Sequence, residues 1–589
     1  MDKNLMSGNE AIAQGAWEAG VAVGVGYPGT PSTETLEALV RKDDVYCEWS
    51  PNEKVAFEVG LGAAIAGVRA LVTMKHVGVN VAADPFMAAA STGVNAGLVL
   101  LAADDPSCYS SQNEQDSRFY AAFGRIPCLD VADSADCYEM ARAAFALSER
   151  FDTPVMLHET MRIAHTRTLV SPSGEREAVA PRDYADDIPK YVMMPANAVK
   201  RRAVVDERQA ALEAYAETCP YNVVEMRDEK IGVICAGAVY QHVREALPEA
   251  STFKLGLAWP LPARALADFA ASVDACYVVE EASDYFSSHV RALGIALAEP
   301  PAAPLPVAGE LKPELIRAAF GVEQPAHLAP ATDLPPRPPA FCPGCPHRLV
   351  FTELRRLKAI VTGDIGCYTL GAVAPYGACH TVIDMGASLS MAHGMELAGA
   401  PERTGRPVVG VIGDSTFAHS GITSMLGTIY NGGTGTLCIL DNRTTAMTGT
   451  QGNPVNGVTL TDSSHKIGPL DNPSGKALDL LALCRAMGVE DVAEVDAQDL
   501  QAVRSALRAA VANTEQLSVI VFKAPCRLID RSRGKEPTIR NCRACGQCVK
   551  IGCPALGRAK DGTAVIDPTQ CVGCDQCVQS CPFGCITKE

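Results

Sequence analysis

Residues 407–442 read PVVGVIGDSTFAHSGITSMLGTIYNGGTGTLCILDN, and this stretch decides the fold. Its opening, PVVGVIG, is apolar, rich in valine and closed by glycine, the pattern of a parallel strand buried on both faces. The next twenty residues place apolar side chains at helical spacing. TLCILDN then reads as a second buried strand, ending at Asn442. Strand, helix and parallel strand make a βαβ unit. Asp414 and Asn442 therefore both stand at carboxyl ends of strands, the edge where open α/β sheets bind ligands.

At 589 residues the chain exceeds what one hydrophobic core serves, so several domains are expected. Hydrophobic residues at 48% and charged residues at 20% describe a globular protein. Lys and Arg number 51 against 68 Asp and Glu, a net charge of −17. That excludes nucleic acid and an anionic membrane as expected partners, because both need basic surface. The start, MDKNLMSGNEAIAQGAWEAG, lacks a basic stretch followed by an apolar one, and no run of 18 apolar residues occurs. The expected location is cytoplasmic. In a reducing compartment the 23 cysteines point to metal binding or catalysis rather than disulfides.

The cysteines concentrate at the end. Cys571, Cys574, Cys577 and Cys581, with Pro582, follow the C-x2-C-x2-C-x3-C-P run of bacterial ferredoxins. Cys542, Cys545, Cys548 and Cys553 repeat it with one extra residue before the last cysteine. In this pattern the fourth cysteine of each run serves the other cluster. One [4Fe-4S] cluster is expected on Cys542, Cys545, Cys548 and Cys581, the other on Cys571, Cys574, Cys577 and Cys553. A separate pair, Cys342 and Cys345, lies in FCPGCPHR, 341–348. Taken alone it is half a zinc site, a redox disulfide or half an iron–sulfur site.

The Asp414–Asn442 spacing of 28 positions resembles the thiamine diphosphate motif, G-D-G followed a helix later by N-N. Magnesium wants six hard oxygens, and a diphosphate is held through it. The resemblance implies that the Asp414 carboxylate, the Asn442 side-chain oxygen and the Thr444 carbonyl coordinate Mg²⁺, with Gly413 and Ser415 at the turn. Ser415 and Asp441 depart from the motif, which has glycine and asparagine there. Thiamine enzymes also use a glutamate that hydrogen-bonds the aminopyrimidine ring and promotes loss of the C2 proton. VYCEWSPNEKVAFEVGLGAAIAG offers Glu53, then Ala56 and the small residues Gly60, Gly62, Ala63 and Ala64.

With these pieces the whole chain resembles the 2-oxoacid:ferredoxin oxidoreductases, on the large-subunit side of their indolepyruvate branch. GYPGTPSTETLEAL looks like the family's Y-P-x-T-P-S loop, which makes Thr30 the contact for a substrate carboxylate. ALVTMKHVGVNVAADPF looks like the indolepyruvate branch, with Lys75 and His76 in place of smaller residues. IGVICAGAVYQHVREAL and ACYVVEEASDYF look like a transketolase C-terminal type of domain. The resemblance also implies a third cluster beside thiamine, on Cys342, Cys345, Cys367 and Cys526, with His347 near the cofactor.

The expected fold is α/β: two thiamine-diphosphate-binding-type domains, a transketolase C-terminal-like domain and a small bacterial-ferredoxin domain. The expected divisions are a pyrimidine-binding domain over 1–190, the transketolase-like domain over 195–300, a proline-rich linker over 300–339, a diphosphate-binding domain over 340–535 and the ferredoxin domain over 540–589. The family's activity is oxidative decarboxylation of 2-oxo acids, here aryl pyruvates such as indolepyruvate, to acyl-CoA and CO2, with electrons leaving through clusters to ferredoxin. Implied partners are a second copy of this chain, a small beta/gamma-type subunit, ferredoxin and the co-substrate CoA. The rivals are the same chemistry on another 2-oxo acid, a non-oxidative thiamine lyase, and an electron-transfer subunit.

Overall fold

The computed structural model describes residues 3–588 except 185, 327–333, 335–337 and 466–472. The chain divides into two compact units, 1–330 and 331–589.

The first unit is built on a seven-stranded sheet. In spatial order its strands are Leu257–Trp259, Cys128–Asp130, Val155–Thr160, Leu98–Asp104, Ala70–Lys75, Val23–Gly26 and Tyr46–Trp49. All pair in parallel except Leu257–Trp259, which runs antiparallel to Cys128–Asp130. The central strands are buried along their whole length, which explains why apolar residues dominate them. Helices on the faces start at sequence-encoded caps. Ser7 and Glu10 form a reciprocal capping box before Gly8–Glu18, and Asp133 caps Ser134–Phe151. These two helices pack side by side, and a methyl on Gly15 would lie 2.3 Å from the Tyr138 carbonyl oxygen.

A second, four-stranded sheet holds Ala275–Val278, Asp228–Ala236, Ala250–Leu255 and Val223–Glu225. The expected divisions at 190–195 and at 300 are corrected here. Helix Pro195–Ala216 belongs to the first sheet's layer: buried Arg208 donates to the Asp152 carbonyl at 2.7 Å and to that of Ala90. Residues 300–320 are not a linker. Helix Pro313–Phe320 buries Ile316, Ala319 and Phe320 against the second sheet, together with Leu311. Proline at its first turn suits helix initiation, and Gly321 ends it at φ +70°. The remainder of the expected linker lies largely outside the described residues.

The second unit carries a six-stranded, all-parallel sheet: Thr381–Val382, Ile360–Gly363, Val408–Gly413, Thr436–Asp441, Ser518–Lys523 and Asp491–Asp496. Val408–Gly413 and Thr436–Asp441 are neighbours, as the opening stretch requires. The tail folds with two short antiparallel pairs, Thr538–Ile539 with Ile586–Thr587 and Leu556–Arg558 with Ala564–Ile566. Among the described residues no helix is long and apolar enough to cross a membrane.

Gly15→Ala forces apart the helices Gly8–Glu18 and Ser134–Phe151. Overpacking of this kind costs about 1–3 kcal/mol, so the midpoint of thermal unfolding drops; an unchanged midpoint contradicts the close packing.

Candidate functional site

In the first unit, three adjacent parallel strands end at one edge: Tyr46–Trp49, Val23–Gly26 and Ala70–Lys75. Their carboxyl ends lead to Glu53, Thr30, and Lys75 with His76, so the four predicted residues gather at one edge of the sheet. Glu53 begins helix Glu53–Ile65 and is 5% exposed. Asn52 caps that helix by accepting from the Val55 amide at 2.9 Å. The glutamate carboxyl lies against Gly78, where a methyl would sit 2.7 Å from Cγ and 2.8 Å from Oε1 of Glu53. The loop of Thr30 runs past Lys75: a methyl on Gly29 would be 3.2 Å from Lys75 Cβ. Lys75 Nζ donates to the Ser110 carbonyl at 2.5 Å. Burial pushes its amine down to about 8, while Asp105 pulls the other way. His76 is fully buried, and burial lowers its pKa. Its Nε2 lies 3.2 Å from the Asn113 carbonyl, and its Nδ1 has no hydrogen-bond partner. The strand end thus offers an ammonium, a hydroxyl and a neutral imidazole, a set suited to a small carboxylate.

In the second unit, Asp414 follows strand Val408–Gly413, and Asn442 follows Thr436–Asp441. The side-chain oxygen of Asn442 sits 2.7 Å from the Thr444 carbonyl oxygen and 3.2 Å from Asp414 Oδ1. Turning the amide replaces this crowding by two hydrogen bonds, from the Asn442 side-chain nitrogen to the same two oxygens. Six oxygens about 2.1 Å from Mg²⁺ place adjacent ones about 3.0 Å apart, a spacing close to the 2.7 and 3.2 Å seen at Asn442. Asp414 and Asp441 are both buried, and burial raises both; Asp441 raises Asp414 further. Ser415 accepts from the Thr445 hydroxyl at 3.0 Å, which shows how serine is accommodated in place of the motif's glycine. Gly413 is pressed by Tyr368, whose ring carbon would be 2.7 Å from an added methyl.

The thiols gather in the three expected sets. Cys548 feels the charges of Cys581, Cys542 and Cys545. Cys577 feels Cys574, Cys553 and Cys571, and one cavity is lined by Cys553, Cys571, Cys574 and Cys577 together. Cys345 feels Cys342 and Cys367, and Cys367 feels Cys526 and Cys342. All the cysteines are free. A tetrahedral zinc with Zn–S near 2.3 Å holds its sulfurs about 3.8 Å apart. Among the described residues no three thiols lie within 4.8 Å of one another. The Cys526 amide donates to the Asn442 carbonyl at 3.0 Å, so the middle set adjoins the oxygen trio. Gly344 turns the C-P-G-C loop at φ +75° and leaves 2.7 Å between a would-be methyl and Val572 of the tail.

Other residues come to light only in the fold. Gly78 seats Glu53, and Asn453 lies 3.4 Å from Asp414 Oδ2. His347 is buried between the rings of Phe341 and Tyr368 and is pushed down to about 4 by burial. It is a neutral packing residue.

Comparisons with known proteins match three stretches of this chain. The family described as pyruvate flavodoxin/ferredoxin oxidoreductase, thiamine diP-bdg, matches residues 14–231. The thiamine pyrophosphate enzyme C-terminal TPP binding domain matches 364–522, and a 4Fe-4S binding domain matches 564–587. Indolepyruvate oxidoreductase subunit IorA of Methanothermobacter marburgensis is 36% identical over 100% of this chain and 98% of its own length. The chain belongs to the IorA family of 2-oxoacid:ferredoxin oxidoreductases. IorA subunits of Thermococcus kodakarensis and Archaeoglobus fulgidus, also 36% identical, cover 99% of this chain and 96% and 97% of their own. As an IorA-family member the chain is an oxidoreductase, with thiamine diphosphate and iron–sulfur clusters as cofactors.

Gly78→Ala displaces the Glu53 carboxyl while leaving the surrounding helices intact. With Glu53 as the acid–base group that the thiamine resemblance implies, misplacing it by about 1 Å costs roughly 100-fold. Turnover therefore falls by that order with little change in thermal stability; full turnover would show that Gly78 does not set the position of Glu53.

Proposed function

We propose that the chain catalyses oxidative decarboxylation of a 2-oxo acid, an aryl pyruvate such as indolepyruvate, to acyl-CoA and CO2. Electrons pass through three [4Fe-4S] clusters to ferredoxin. The observation that carries this reading is the shared strand edge: the Asp414, Asn442 and Thr444 oxygens stand beside a thiol set whose Cys526 amide bonds Asn442. A magnesium-bound diphosphate and an electron acceptor are then neighbours.

Bound thiamine diphosphate supplies the nucleophilic carbon and the electron sink for losing CO2. The chain's own residues do the rest. Asp414, Asn442 and Thr444 hold Mg²⁺ at the diphosphate. Glu53 holds a proton against the aminopyrimidine ring, its position fixed by Asn52 and Gly78. The Thr30 hydroxyl and the Lys75 ammonium orient the substrate carboxylate, and neutral His76 closes the pocket without repelling Lys75. Cys342, Cys345, Cys367 and Cys526 hold the first cluster. Cys571, Cys574, Cys577 and Cys553 hold the second, and Cys542, Cys545, Cys548 and Cys581 the third. Amides of Phe583, Ile586 and Cys585 lower the Cys581 thiol against the opposing effect of burial, as a thiolate ligand requires. The aryl preference is supported by the names of the 36% identical relatives. A small partner subunit and a second copy of this chain complete the assembly.

Glu53→Gln lowers CoA-dependent reduction of ferredoxin or a viologen dye by about 10²–10⁴-fold, the usual contribution of a positioned acid–base group. Its iron content stays that of the parent. Unchanged turnover removes Glu53 from the reaction, and CO2 release with aldehyde but no reduced dye makes the enzyme a lyase.

Lys75 is charged below pH 8 and neutral above it, so KM for the 2-oxo acid rises about tenfold per pH unit above 8. Lys75→Met removes a charged hydrogen bond of about 1.5–3 kcal/mol, roughly ten- to hundredfold in KM, and flattens that rise. A pH-independent KM in the parent enzyme contradicts the assignment.

A further inference from the structure

Arg348, the last residue of FCPGCPHR, is the largest fully buried side chain among the described residues. One terminal nitrogen of its guanidinium donates to the Phe341 carbonyl at 2.9 Å and to that of Cys342 at 2.6 Å. The other donates to the Tyr376 hydroxyl at 3.0 Å and the Ile551 carbonyl at 3.1 Å. Nε has no hydrogen-bond partner. All four bonds end on carbonyl or phenol oxygens, and among the described residues none ends on a carboxylate.

A guanidinium keeps its charge under all ordinary conditions. Taken out of water, it needs a negative partner to be tolerated. The ionisable groups on which its charge acts are the Tyr376 phenol and the thiols of Cys345 and Cys574. Cys342, whose carbonyl it binds, and Cys345 belong to the middle set. Ile551, bound from the other side, lies two residues before Cys553, which completes the set on Cys571, Cys574 and Cys577. The Arg348 charge acts on Cys345 and also on Cys574. The loop and the tail are further tied by Gln576 Nε2, which donates to the Cys345 carbonyl at 2.9 Å.

We infer that Arg348 is the shared counter-cation of two clusters, the one on Cys342, Cys345, Cys367 and Cys526 and the one on Cys553, Cys571, Cys574 and Cys577. This rests on the three-cluster reading above. Each reduction adds one negative charge to a cluster, and a fixed positive charge beside it stabilises the reduced form. Arg348 therefore holds both reduction potentials up. Its hydrogen bonds also join the Cys342 carbonyl to the Ile551 carbonyl, a bridge between the two sets. In the transfer it serves, the middle cluster is oxidised by one electron and the tail cluster is reduced by one. No proton moves, and the guanidinium is unchanged. Arg348 is a positioning residue that acts through the clusters. The cluster on Cys542, Cys545, Cys548 and Cys581 contacts it through no bond among the described residues.

The test is an EPR-monitored redox titration of the anaerobically purified full chain, with iron counted in every sample. Signals are assigned with Cys345→Ser and Cys574→Ser. The parent should hold about twelve irons; about eight would remove the middle cluster and, with it, this inference. With twelve present, Arg348→Gln should shift the potentials of the middle and Cys553-containing clusters to more negative values and leave the third in place. Arg348→Lys, which keeps the charge, should restore most of the shift. Iron lost from Arg348→Gln but kept in Arg348→Lys also supports the charge. Unmoved potentials in Arg348→Gln, equal shifts in both variants, or iron lost from both would overturn the inference and leave Arg348 as a structural tie.

Discussion

Three oxygens crowd together where strands Val408–Gly413 and Thr436–Asp441 end, and the second unit is organised around what that crowding requires. Polar atoms of Asp414, Asn442 and Thr444 lie 2.7 and 3.2 Å apart around the Asn442 amide, with Asp441 buried in the same turn. Uncompensated, such an arrangement is unfavourable away from water. In the proposed function a divalent cation offsets it and in turn holds a diphosphate. A parallel sheet makes this arrangement natural. Its faces are covered by helices and its strands are saturated with apolar residues, so polar groups gather at the carboxyl ends.

The same reasoning extends to the sulfurs. Burial pushes the thiols of Cys345, Cys548 and Cys577 up, and backbone amides, with the buried Arg348 guanidinium at Cys345, act the other way. Amides of Ala564 and Cys585 lie 3.3 and 3.2 Å from the sulfurs of Cys542 and Cys581. Arg348 occupies the space between the C-P-G-C loop and the tail. Gly344 allows the two to approach because only a glycine tolerates both the left-handed turn and the proximity of Val572. Cluster placement and tail docking are therefore one structural problem with one solution.

The first unit works with the opposite sign. Its strand ends present Lys75, whose charge is weakened by burial, beside a histidine that burial keeps neutral. In the proposed function this weakly solvated ammonium and the Thr30 hydroxyl orient the substrate carboxylate. Glu53 stands at the same edge, where the start of its helix favours negative charge.

Much of this was readable along the chain. Apolar runs of strand length, the turn at Asp414, the separation of Asp414 from Asn442 and the cysteine spacings are local patterns, and local patterns reflect local geometry. A ferredoxin run encodes its own loop because the thiolates must wrap a rigid cube, and a valine-rich strand encodes its burial because water would not tolerate it. Misreadings arose where composition stood in for packing. Prolines suggested a linker over 300–339, yet Leu311, Ile316 and Phe320 found a sheet to cover. Helix Pro195–Ala216 looked like the start of a new domain, yet Arg208 ties it to the first. The sequence alone determined the cofactor classes, thiamine diphosphate and iron–sulfur clusters, since metal and phosphate chemistry restricts both residue type and spacing. Only the tertiary structure decided that Gly78 seats Glu53, that Cys526 meets Asn442, and that Arg348 lies between two thiol sets. Those contacts join residues far apart in the chain, and burial and proximity across such distances leave no periodic trace in the order of the amino acids.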